Sequence, residues 1–167
     1  MRGTLHLFGV EEYPSFLAAL GTQEGWRRPA WLRTVGLTVA DMERLIGAIE
    51  AALAGRSLTR QELADEVGAD AGPALRERLL SGWGSLLKPA AYLGALCSGP
   101  SRGQRATFVR PVDWLGHLER IGPEQGWRRI CRAFLRTYGP ASQADLVRWW
   151  GVRRRSSDER SCRSGTS

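Results

Sequence analysis

Lysine is almost absent from this chain of 167 residues: Lys88 stands alone among 24 basic side chains, and arginine supplies the rest. Long apolar runs are absent too. None approaches the roughly 18 residues that a membrane-spanning helix needs, which argues against a helical span. The start, Met1 to Phe8, holds only a short apolar run with no small-residue cleavage site after it. That pattern speaks against a signal peptide and leaves a cytoplasmic location as the expectation. Cysteine is scarce: Cys97, Cys131 and Cys162 are odd in number, widely spaced and without a Cys-x-x-Cys pair. With only His6 and His117 beside them, no ligand spacing for a metal is present, and neither a metal nor a cofactor is expected. Disorder of the whole chain is excluded by composition, since hydrophobic residues make up 43% and charged residues 25%.

What is abundant is arginine, and the formal net charge is +7. A positive balance favours polyanion partners, because each neutralised phosphate releases condensed counterions. A GC-rich coding sequence would explain arginine in place of lysine. It would not explain the excess of positive over negative charge.

Along the chain, Thr4 to Phe8 reads as a strand and Glu11 to Leu20 as a helix ended by Gly21. A loop dense in arginine and tryptophan follows, Trp26 to Arg33, in which Arg27 and Arg28 are candidate phosphate contacts. Thr38 with Asp41 opens a helix whose apolar residues recur at helical spacing through Leu53, with Gly55 beyond its end. Thr59 with Glu62 opens a second helix from about Arg60, closed by Gly68. Pro73 starts a third, on which Leu75, Leu79, Leu80, Trp83, Leu86 and Leu87 share one arc and which Pro89 ends. Its other arc carries Arg78, Ser81, Ser85 and Lys88, small or cationic side chains suited to a groove, with Glu77 among them as a repelling charge.

Two β-like runs then follow, Tyr92 to Cys97 and Arg105 to Arg110, joined by Ser98 to Gln104 with Arg102 near the tip. Helix, helix, helix and basic-tipped hairpin is the order of a winged helix-turn-helix, a module that docks on double-stranded DNA. Pro111 to Leu115 leads out of the hairpin. A helix is expected from Pro123 to Tyr138, and Ser142 with Asp145 caps another through Trp150. Thr59–Leu63 and Ser142–Leu146 match in role at an offset of 83, as do Gly68 and Gly151, so a second unit starts near Pro123. The last stretch, 153–167, has no aliphatic or aromatic residue and reads as a disordered basic tail. A truncation or a shifted frame is the expected reason that no recognition helix and wing follow.

Several blocks in order carry a family resemblance over about residues 1–152: Arg2-Gly3-Thr4-Leu5-His6-Leu7, Ser81 to Ala91, Gly99 to Gly103, Thr107 to Pro111 and Tyr138 to Ala141. They resemble the bacterial family of tandem winged-helix proteins that includes DNA glycosylases unhooking interstrand crosslinks and excising alkylated purines. The resemblance implies catalysis through a Gln-x-Gln or Gln-x-Asp motif upstream of the Arg-Gly-Thr-Leu-His block. None of Gln23, Gln61, Gln104, Gln125 or Gln143 is expected to belong to such a motif, so no catalytic residue is carried over; His6, Glu11 and Glu12 are the remaining polar groups near it.

The expected fold is mainly α with small β wings, an α+β arrangement of tandem winged helix-turn-helix units, one complete and one truncated. Its expected parts are a remnant of a preceding segment at 1–37, a complete winged helix at 38–115, the start of a second at 116–152 and the tail. The expected function is DNA binding by a glycosylase-like protein through Arg27, Arg28, Arg78, Ser81, Ser85, Lys88, Arg102 and Arg105. A winged-helix transcriptional regulator and a non-functional truncated product are the alternatives.

Overall fold

Three capping boxes set the frame of the fold in the computed structural model, which describes residues 9–81 and 84–151. At Thr38/Asp41, Thr59/Glu62 and Ser142/Asp145 the hydroxyl accepts the N3 amide while the N3 carboxylate accepts the N-cap amide. These satisfy donors that a helix start otherwise leaves open. They open α3 (Val39–Ala52), α4 (Arg60–Ala71) and α9 (Gln143–Trp150), where the sequence pattern put them. Before them come α1 (Tyr13–Leu20) and α2 (Pro29–Val35); between them lie α5 (Pro73–Ser81), α6 (Leu87–Tyr92), α7 (Pro111–Leu115) and α8 (Pro123–Tyr138).

Among the described residues the fold is mainly helical with one small antiparallel sheet. Strands β1 (Leu58–Thr59), β2 (Cys97–Ser98) and β3 (Thr107–Val109) lie in the order β1-β3-β2, with Leu58 opposite Phe108 and Cys97 opposite Val109. The described residues form two compact units, 9–129 and 130–151. In the first, Met42, Leu45 and Ile49 of α3 and Leu53 just after it are fully buried against Leu63 and Val67 of α4 and Leu75 and Leu79 of α5. The closest helix pairing is α4 on α5, tied at one end by Arg60 Nε donating to the Leu79 carbonyl at 2.8 Å. In the second unit Ile130, Phe134 and Trp150 are the buried apolar side chains.

Several expectations are corrected. The arginine–tryptophan stretch is not a loop: a 3-10 turn at Glu24–Arg27 leads into α2, because Pro29 is set for a first helical turn and Gly36, at φ 62, supplies the left-handed residue that ends it. Gly68 does not close α4, which runs on to Ala71 and stops at Gly72, at φ 101. The single long third helix is two. Gly84 at φ 77 breaks it, and Pro89 sits in the first turn of α6, where no amide is demanded, instead of ending a helix. For the same reason Tyr92 to Leu96 is no strand: α6 runs through Tyr92, the chain turns at Gly94, and pairing begins only at Cys97. The partner strand is also shorter than Arg105–Arg110, and Pro111–Leu115 is helical. In the repeat, the two N-terminal caps correspond, but Gly151 ends α9 whereas Gly68 lies within α4. The strand expected at Thr4–Phe8, the Trp83 position and the basic tail lie outside the described residues.

Gly99 is where the sheet is least tolerant. A Cβ there would lie 2.7 Å from Val109 Cγ1 and 2.8 Å from Thr107 Oγ1, both on the buried strand β3. Gly99→Ala should lower the stability of this unit by about 1–3 kcal/mol, as overpacking does. Urea unfolding checks this, and an unchanged midpoint would show that the hairpin relaxes freely.

Candidate nucleic-acid interface

The hairpin between β2 and β3 is the most constructed surface feature of the chain. At its base the Gly99 amide donates to the Thr107 carbonyl at 2.9 Å. Thr107 is fully buried; its hydroxyl donates to the Pro100 carbonyl at 2.7 Å and accepts from Ser57 Oγ at 2.9 Å. One side chain therefore ties β3 both to the loop entering the hairpin and to the residue before β1. At the tip Arg102 and Arg105 exchange both backbone hydrogen bonds, 2.9 and 3.1 Å, around Gly103-Gln104. Gly103 takes φ 59, the left-handed conformation that a two-residue turn asks of a glycine.

Arg102 does not project freely from that tip. Its guanidinium forks onto the Glu62 carboxylate at 2.7 and 3.0 Å, and the same Nη2 donates to the Ser57 carbonyl at 2.6 Å. Glu62 meanwhile accepts from the Thr59 amide at 2.7 Å and from the Thr59 hydroxyl at 2.9 Å. The Thr59 amide, then the Arg102 guanidinium, hold the Glu62 carboxyl down at about 2, against 4.5 ordinarily. The other tip arginine, Arg105, is exposed and has no ion pair among the described residues.

The remaining sequence-picked residues divide in the same way. Arg78 is turned inward: its guanidinium donates to the Val35 carbonyl and fills the space beside Gly36 at the end of α2. Arg27 lies over the Trp26 ring, 4.4 Å from its centroid, and pairs with Glu43 at 2.9 Å. Ser81 is the exposed last residue of α5, and its hydroxyl donates to the Arg78 carbonyl at 3.5 Å. Ser85 is half-buried in the turn between α5 and α6, and Lys88 is exposed in the first turn of α6. The single helical face expected to carry Arg78, Ser81, Ser85 and Lys88 is therefore not formed. Arg28 is exposed at the start of α2. Neither Arg28 nor Lys88 meets a carboxylate among the described residues.

Sequence reading missed Ser57, Thr107 and the second role of Glu62. The Thr59-x-x-Glu62 spacing announces a cap, but nothing local announces a guanidinium 40 residues on. In the second unit the rings of Phe134, Tyr138 and Trp149 cluster with centroids 5.2 to 6.4 Å apart beside an open cavity rimmed by Asp145 and Arg148.

A family model described as "DNA glycosylase AlkZ-like" matches residues 1–160. The chain belongs to the AlkZ-like DNA glycosylase family. It is 38% identical over 155 residues to an interstrand DNA cross-link repair glycosylase of Streptomyces sahachiroi, a match covering 89% of this chain and 41% of that protein. Among solved structures it is similar to the Streptomyces sahachiroi DNA glycosylase AlkZ, with a TM-score of 0.78 and 34% identity over 90% of this chain and 45% of that one. The chain thus spans less than half the length of these relatives.

Of the glutamines, Gln143-Ala144-Asp145 has the bare letter spacing Gln-x-Asp that the family resemblance made relevant. It stands at the start of α9, and the Asp145 carboxylate is taken up by the Ser142 amide and hydroxyl at 2.9 and 2.6 Å. Its role there is a helix cap. Gln61 donates to Asp65 one turn on, at 3.3 Å, and Gln104 occupies the hairpin turn.

The lowered Glu62 pKa fixes the sign of an acid response. Its interactions are fully present above pH 4.5 and are lost as the pH falls from 4.5 toward 2. Hydrogen exchange at the Arg102 and Arg105 amides, taken relative to the intrinsic rate at each pH, should quicken across that window in the natural chain. In Glu62→Gln it should be faster already at pH 6 and respond less to acid. Identical profiles for the two would mean that the carboxylate does not hold the tip.

Proposed function

We propose that this chain binds double-stranded DNA as the winged-helix portion of an AlkZ-like glycosylase. In this reading residues 38–115 are a complete winged helix, with α3, α4 and α5 as its helices and the hairpin as its wing. Residues 116–152 begin a second, since α8 followed by the capped α9 repeats the order of α3 followed by the capped α4. The observation that carries the reading is the hairpin. A narrow tip with an arginine that has no ion pair among the described residues, built on a buried threonine, suits the sugar-phosphate rail or a minor groove. The names of its relatives, glycosylases of DNA, point to the same partner. With DNA as its partner, the protein would act in the cytoplasm.

The contacts assigned to the duplex are Arg105 at the tip, Arg28 before α2 and Lys88 on α6, with Ser81 and Ser85 as neutral donors. Arg27 and Arg78 hold the protein's own structure. No described residue is given a catalytic role, so the chain should bind a duplex carrying an N7-alkylated purine and leave the base in place. Release of that base by the purified chain would overturn this part of the reading.

Duplex binding should weaken steeply with salt, each phosphate contact contributing about 0.9 to the slope of log K against log salt. Arg28→Ala and Lys88→Ala should each lower affinity severalfold and flatten that slope. Fluorescence anisotropy at several salt concentrations tests this. Binding that is absent at low salt, or indifferent to salt, would rule the reading out.

A further inference from the structure

The two arginines at the hairpin tip face each other as a hydrogen-bonded cross-strand pair, and such a pair projects both side chains from one side of the ribbon. Like charges so placed repel, and in a two-residue turn they would splay the tip. The fold answers with Glu62. Its carboxylate takes Arg102 in a two-pronged contact, while the Ser57 carbonyl takes a further N–H of the same guanidinium. Three acceptor oxygens on two different elements, the loop before β1 and the first turn of α4, therefore fix one side chain of the hairpin.

We propose that Arg102 is a positioning residue that pins the hairpin to the start of α4, so that Arg105 alone makes the charged contact with the duplex from this tip. The inference rests on the DNA-binding reading and assigns different jobs to two arginines that look equivalent in the sequence. Several observations agree. Arg102 is spent on partners whose geometry needs a planar fork, which an ammonium cannot reproduce. Glu62 is itself immobilised by the Thr59 amide and hydroxyl, so it is a fixed post and not a swinging carboxylate. Arg105 has no partner among the described residues to hold it back, and Glu62 has already neutralised the neighbour that would repel it.

The test compares Arg102→Lys, Arg102→Ala, Arg105→Ala and Glu62→Gln in the full chain. Two readouts are taken: anisotropy with a duplex across salt, and hydrogen exchange at the hairpin amides without DNA. Arg105→Ala should weaken binding and remove about 0.9 from the salt slope, with hairpin exchange unchanged. Arg102→Lys keeps the charge but loses the fork. It should weaken binding nearly as much as Arg102→Ala, leave the slope within experimental error of the natural chain and quicken exchange at the tip. Glu62→Gln, which still caps α4, should quicken the same amides.

If Arg102→Lys binds like the natural chain while Arg102→Ala loses about 0.9 of slope, Arg102 is a phosphate contact and the proposal fails. If the natural chain itself shows no salt-dependent binding, the DNA reading fails and the proposal with it. Unchanged hairpin exchange in all three of Arg102→Lys, Arg102→Ala and Glu62→Gln would equally overturn it.

Discussion

One carboxylate meets two demands in this structure. Glu62 closes the capping box that starts α4, and it receives the guanidinium of Arg102 from the hairpin. A helix start has unmet amide donors wherever it lies, so a capping carboxylate serves α4 in any setting. The second demand arises only because the hairpin folds back over that start. Exposed ion pairs contribute little to stability, since solvent screens them and two side chains must be held still. What the contact supplies is placement of the tip relative to α4.

Arginine is used with the same economy elsewhere. Among the described residues Arg27, Arg44, Arg56, Arg76, Arg102, Arg110, Arg128, Arg129 and Arg148 all face a carboxylate. Arg60 and Arg78 instead bind backbone carbonyls. Arg28, Lys88 and Arg105 belong to the basic side chains that meet no carboxylate among the described residues. Asp113 shows how far such pairing reaches: it receives the Arg110 fork at 2.8 Å and the Gly55 amide at 2.8 Å, joining α7 to the turn after α3.

Much of the helical frame was legible because it is locally coded. Hydroxyl and carboxylate three residues apart place the starts of α3, α4 and α9, and Pro123 with an apolar stripe places α8. Errors fell where glycine and proline admit two readings. Pro89 has the look of a stop but is a first-turn residue; Gly68 has the look of a cap but is interior. A proline lacks a donor in either setting, and which setting applies depends on whether Leu86 and Leu87 are drawn into the core, as they are.

From the sequence alone came the basic character, the capped helices, the hairpin and the family blocks, because each depends on residue type at short range. Tertiary structure decided which arginines are free. Arg78 and Arg102 are chemically the same as Arg105, and partners such as the Val35 carbonyl and Glu62, 43 and 40 residues distant along the chain, set them apart. A hydrogen bond depends on distances of a few ångströms in space, and those are settled by packing.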